Sequence, residues 1–164
     1  MTTRSRLKLL VLTSTLPRWT SDTTPTFVAD LCASLAQTMD VTLLAPASDG
    51  AAPIERQGGV EVRRFRYMYP ARLQRLADGA IMPNIRRRPL LAAQIPPFVL
   101  AELGAAWRLM RAERFDAIHA HWALPQGFLA ALLKHKLDQA PLPTAASSTP
   151  VLAHPHSRGA HYYH

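Results

Sequence analysis

A second cysteine is missing from this 164-residue chain, so Cys32 has no internal disulfide partner. That absence fits a reducing compartment. Also missing is an uninterrupted apolar run of membrane-spanning length. Leu9 to Leu12 follows Arg4, Arg6 and Lys8, but the run stops at Thr13-Ser14-Thr15 and no small-residue cleavage site follows. It reads as a buried first strand rather than a signal peptide. The other apolar stretch, Leu90 to Met110, is interrupted by Gln94, Pro96-Pro97, Glu102 and Arg108. A spanning helix needs about 20 mostly apolar residues free of central charge, so this stretch is read as soluble. Acidic residues are scarce. Eleven stand against 19 Lys and Arg, giving a formal net charge of +8, and none follows Asp138. The bias favours anionic partners. No helix-turn-helix, RNP or zinc pattern is present, so nucleic acid is not an expected partner. No Cys, Asp or Glu stands at ligand spacing around His119 and His121, so neither a metal nor another cofactor is expected.

What is present is enough for one domain with a core: 48% hydrophobic and 18% charged residues mark a globular chain. Lys8 to Thr13 is a continuous apolar run, as in a parallel strand covered on both faces. Thr15 to Thr24 is a polar loop. Thr24 offers an N-cap with Pro25 at the first helical position, and Phe27, Val28, Leu31, Leu35 and Ala36 recur at helical spacing through Met39. Val41 to Ala45 is a second buried strand, which completes a βαβ unit. Pro46 to Gly59 reads as loop, punctuated by Gly58-Gly59, and Val60 to Phe65 alternates as a strand with one wet face. Arg66 to Pro89 reads as irregular and basic. A helix from about Leu90 is expected to break at Pro96-Pro97 and resume from Phe98 to Arg114, because interior proline costs about 3 kcal/mol. Phe115 to His121 is a further strand, and Pro125 opens a helix to about Leu137. The alternation predicts an open, mostly parallel α/β sheet with helices on both faces.

Past Leu137 the composition changes. Pro141, Pro143, Pro150 and Pro155 crowd the segment, and five of the seven histidines lie at His135 or later. The pattern calls for another buried strand here, and none is expected from these residues. The division is therefore an α/β domain over residues 1–137, incomplete at its C-terminal end, and a disordered tail over 138–164. In that arrangement Phe115 to His121 is left as an open sheet edge.

Four segments, in this order and spacing, resemble the N-terminal domain of family 4 glycosyltransferases. They are VLTSTLPRWTSDTTPTFVADLCASLA (11–36), VTLLAPA (41–47), GGVEVRRFRYMYP (58–70) and FDAIHAHWALPQG (115–127). The resemblance implies a GT-B enzyme of two Rossmann-like domains with the active site between them. It implies transfer of a hexose from a nucleotide sugar to a polysaccharide or lipid-linked acceptor, with this chain on the acceptor side. Three departures stand out. Ser21-Asp22 replaces the usual Gly-Asp of the first loop, and no His-Gly-x-Asp turn or donor-binding domain follows. The chain alone is therefore expected to be inactive, with no catalytic residue assigned.

In open α/β sheets ligands bind at the carboxyl ends of the strands. With the resemblance, this nominates Pro17, Arg18, Ser21 and Asp22 of the first loop, and His121, Trp122, Gln126 and Gly127 after the fourth parallel strand. The bland alternatives are a solvated loop and a buried, hydrogen-bonded histidine at His119. Arg63, Arg64, Arg66, Arg72, Arg75, Arg86, Arg87 and Arg88, interleaved with apolar residues, suit docking on an anionic membrane from the cytoplasmic side. A solvated basic face is the alternative there. A reading from another class is a non-catalytic basic fragment that binds membrane or a protein partner.

Overall fold

The computed structural model describes residues 6–17, 26–121, 126–138 and 151–154. Its elements run β1 (Lys8–Leu12), α1 (Phe27–Leu35), β2 (Asp40–Pro46), β3 (Ile54–Gln57), β4 (Val60–Phe65), α2 (Ile81–Arg87), α3 (Ile95–Ala112), β5 (Ala117–His121), α4 (Phe128–Asp138) and β6 (Val151–His154). They build one six-stranded sheet in the order β3-β4-β2-β1-β5-β6. Every neighbouring pair is parallel except β3–β4. This is the open, mostly parallel α/β sheet that the alternation predicts, with β1 and β2 buried almost throughout.

The period-two alternation of side chains divides the core into two layers. Leu10, Leu12, Leu44, Phe65, Ile118 and Ala120 face α3 and α4, where Phe98, Leu109 and Leu133 meet them. Leu9, Val11, Val41, Leu43, Val60 and Val62 face α1, which buries Val28 and Cys32. Each fully buried aliphatic side chain contributes about 1.5–3 kcal/mol.

Four expectations need correction. Pro46 to Gly59 is not all loop. Ile54–Gln57 forms β3 and returns antiparallel to β4 across Gly58-Gly59, whose φ values of 56° and 84° make a two-residue hairpin turn. Pro96-Pro97 does not break a helix. A 3-10 turn covers Pro89–Gln94, and α3 starts at Ile95, so both prolines fall in the first turn, where no N–H is needed. Within 66–94, α2 forms where irregular chain is expected, and side-chain amides hold the surroundings. Gln74 Oε1 accepts from Tyr67 N at 2.7 Å, Asn84 Nδ2 donates to Asp78 O at 2.7 Å, and Gln94 Nε2 donates to Leu73 O at 2.8 Å.

The fourth correction lies in the segment read as a disordered tail. Val151–His154 pairs in parallel with β5, with Ile118 opposite Val151 and His121 opposite His154. The edge of β5 is therefore covered. Pro150 and Pro155 bracket this short run instead of interrupting it, a placement that proline's missing N–H allows at the end of an edge strand. Pro89–Ala112 is the one stretch among the described residues with the length and apolarity of a membrane-crossing helix. It packs on the sheet through Phe98, Glu102, Ala105, Ala106 and Leu109.

Candidate functional site

The strand order reverses between β1 and β5. To one side of β1 lie β2 and β4, and to the other lie β5 and β6. Chains leaving two such strands diverge to opposite sides and open a crevice at their carboxyl ends. The floor of that crevice comes from the ends of β1 and β5.

At the end of β1 the apolar run gives way to Thr13, Ser14 and Thr15, all buried. Thr13 N donates to Leu44 O at 3.1 Å, Thr13 Oγ1 donates to Thr15 O at 3.1 Å, and Thr15 N donates back to Thr13 Oγ1 at 3.3 Å. These bonds turn the chain sharply at the lip of the sheet. Pro17, half-buried, continues the lip, and its carbonyl accepts a hydrogen bond from Arg64 Nη2 at 2.9 Å. Arg18, Ser21 and Asp22 lie outside the described residues.

At the end of β5, His121 is buried. It stacks on His119 at 4.7 Å between ring centroids and meets the Phe27 ring edge-on at 5.9 Å. Phe27 opens α1, so the two histidines occupy the α1 side of the sheet. Trp122 lies outside the described residues. Gln126 is fully buried and Gly127 half-buried, just ahead of α4. Gln126 neighbours Glu102 of α3, on the opposite side of the sheet from Phe27 and His121. The structure thus separates His121 and Gln126, which the sequence groups together.

Glu102 is a residue that sequence reasoning missed. Burial pushes its carboxyl up to about 8, outweighing the opposite effect of Gln126. No hydrogen bond of good geometry joins them, since both carboxyl oxygens and both amide atoms lack a partner. The signal is legible afterwards: Glu102 is the lone acid on the apolar stripe Phe98, Ala105, Leu109. The Cys32 thiol, pushed up to about 12 by burial, is chemically quiet.

The arginines divide. Arg66, Arg72, Arg75, Arg86, Arg87 and Arg88 are exposed. Arg64 is not part of a surface patch, because its side chain is 1% exposed and its Nη2 pairs with Glu55 Oε1 at 2.9 Å. The reason is its register: Arg64 points to the same side as Val60 and Val62, where it meets the Pro17 carbonyl. Arg63 is half-buried and tied to Glu61 at 2.6 Å and Glu113 at 3.6 Å. Hydrogen bonding from Arg63 lowers the Glu61 carboxyl below its ordinary range. Among the described residues, no group of three His, Cys, Asp or Glu side chains is placed to hold a metal ion.

A mostly parallel sheet with its crevice at the switch between β1 and β5 belongs to the α/β class that binds ligands at strand ends. Residues 24–164 match the sequence profile of Glycosyltransferase Family 4, and the chain belongs to that family. The match extends past Leu137 through β6. No curated protein matches the chain. Among solved structures, the sucrose-phosphate synthase of Thermosynechococcus elongatus is similar at 15% identity and a TM-score of 0.46, over 92% of this chain and 64% of that one. The chain therefore spans less than two thirds of that relative.

Proposed function

We propose that this domain forms the acceptor side of a hexosyltransferase that moves a sugar from a nucleotide donor to a polysaccharide or lipid-linked acceptor. The observation that carries the reading is a family 4 chain whose strand order reverses between β1 and β5. Pro17 follows the end of β1 and His121 ends β5 at that reversal, with Arg18, Ser21, Asp22 and Trp122 close by in sequence. Catalysis of glycosyl transfer depends on holding acceptor against donor and on stabilising the leaving diphosphate. The described residues offer one sheet, and the donor belongs on a second domain facing it. The exposed arginines from Arg66 to Arg88 support work at the cytoplasmic face of a membrane. The same arginines also favour the second reading, a non-catalytic basic module that docks on anionic lipid.

NMR titration of the purified chain separates the readings. Phosphorylated or lipid-linked saccharides should shift resonances of His121 and the β1 end, while nucleotide sugars should shift none and should not be turned over. Acceptor saccharides that leave the crevice resonances unmoved, with lipid binding intact, would favour the docking module. Turnover of a nucleotide sugar by this chain would refute the assignment to the acceptor side alone.

A further inference from the structure

Beside the crevice lies a cavity of about 510 Å³ between α2, the start of α3 and Phe128. This is within the range of about 300–1,000 Å³ typical of small-ligand sites. Its walls include Ile81, Met82, Ile85, Phe98, Val99 and Phe128, and among the described residues Ser14, at the carboxyl end of β1, is the one polar side chain that lines it. A sugar needs a partner for nearly every hydroxyl it buries, since an unpaired one costs its hydration. The described residues of these walls offer one hydroxyl, at the crevice side. The cavity is therefore suited to hydrocarbon.

The far side of α2 has the opposite character. A second pocket, of about 210 Å³, is lined by Arg75, Arg87, Arg88, Asn84, Asp78 and Leu91. Three guanidinium groups stand there against one carboxylate. One short helix thus separates a hydrocarbon slot from a cationic pocket. The apolar surface continues outward through exposed Met82, Leu90, Ile95 and Leu100.

We infer that the cavity under α2 binds the aliphatic chain of an anionic amphiphile, an acceptor of the alkyl-phosphate class, with Arg75, Arg87 and Arg88 taking its phosphate. The inference rests on the acceptor-side reading and narrows it from lipid-linked acceptors in general to a chain seated in the protein. The arginines identify the occupant's charge, and the lining identifies its tail. Ser14 places one end of the cavity beside the carboxyl end of β1.

The experiment is calorimetric titration of the full chain with inorganic phosphate, hexyl phosphate, octyl phosphate and dodecyl phosphate, all below their micelle concentrations. Affinity should rise by a few-fold per methylene until the cavity is full, since each buried CH₂ contributes roughly fourfold. Val99→Trp, which fills the cavity, should weaken dodecyl phosphate at least tenfold and leave inorganic phosphate unchanged. Ala80→Phe serves the same purpose should Val99→Trp fail to fold. Arg87→Glu with Arg88→Glu should weaken every phosphate and leave dodecanol unaffected. The idea is overturned if dodecyl phosphate binds no tighter than inorganic phosphate, or if neither filling variant weakens it. A cavity closed by self-association, seen as binding lost with rising protein concentration, overturns it as well. Should the chain-length series fail while water-soluble saccharides still shift His121, only the alkyl site falls. Should alkyl phosphates bind while no saccharide does, the acceptor-side reading falls instead.

Discussion

Glu102 shows how one side chain can set the pH response of the fold. It is fully buried on α3, and its carboxyl has no hydrogen-bond partner. Burial raises it from an ordinary 4.5 to about 8. Between those values the folded chain keeps a proton that the unfolded chain has lost. Stability therefore falls as pH rises through this window and stops falling above it. The slope from this group is up to about 1.4 kcal/mol per pH unit. Glu102→Gln removes the charge and keeps the shape. In urea unfolding, the variant should match the parent at pH 4.5, exceed it at pH 8 and lose the downward slope between. Parallel profiles for the two proteins would show that another group is responsible. Arg64 presents the converse case, a buried cation held by Glu55 and Pro17 with Nε and Nη1 unpartnered. The sequence passed over Glu102 and placed Arg64 in the surface patch, because burial of a charge depends on which element packs over it.

At the level of elements, β1, β2 and β4 were legible because their apolar runs carry their own period. β3 was not. Ile54-Glu55-Arg56-Gln57 has one apolar residue, and pairing to β4 rather than composition makes it a strand. The clue was Gly58-Gly59, read only as punctuation. The same two glycines give an expected contrast. Gly59 sits at φ 84°, so Gly59→Ala should destabilise by about 1 kcal/mol or more, because a side chain is strained there. Gly104 lies inside α3, where an added Cβ meets nothing within 4 Å. Gly104→Ala should stabilise by about 0.5–1 kcal/mol through helix propensity. Thermal unfolding of both variants checks the pair, and equal shifts of one sign would contradict the hairpin geometry. β6 escaped notice for a different reason. The prolines around it were read as barriers, yet they lie at its two ends and leave Val151–His154 free to pair.

Across the whole molecule the charge is uneven. Arg66, Arg72, Arg75, Arg86, Arg87 and Arg88 are exposed on one stretch of chain, while Arg63 and Arg64 are held by Glu61, Glu113 and Glu55. Co-sedimentation with phosphatidylserine-containing vesicles should therefore weaken as salt rises, because screening lengths fall below about 10 Å above 0.1 M. Arg86→Glu with Arg87→Glu and Arg88→Glu should reduce binding strongly. Each basic residue near such a surface contributes about 1 kcal/mol. Arg64→Gln should instead lower thermal stability. Equal binding to neutral vesicles would rule the surface out. The sequence showed where the arginines cluster and nominated the strand ends for the site. It did not show that His121 and Gln126 face opposite sides of the sheet, a separation that only the register and the positions of α1 and α3 create.

The central position of β1 has a consequence in time. Its first neighbour, β2, is made some 30 residues later, but its second, β5, pairs Leu9 with Ala117. Contacts so distant in sequence close slowly. At synthesis rates of about 5–20 residues per second, the roughly 50 residues between β4 and β5 keep one side of β1 unpaired for about 3–10 s. During that interval the ribosome carries a four-stranded half-sheet with Leu9 to Leu12 at its open border. This is the period in which a nascent chain would most depend on a chaperone.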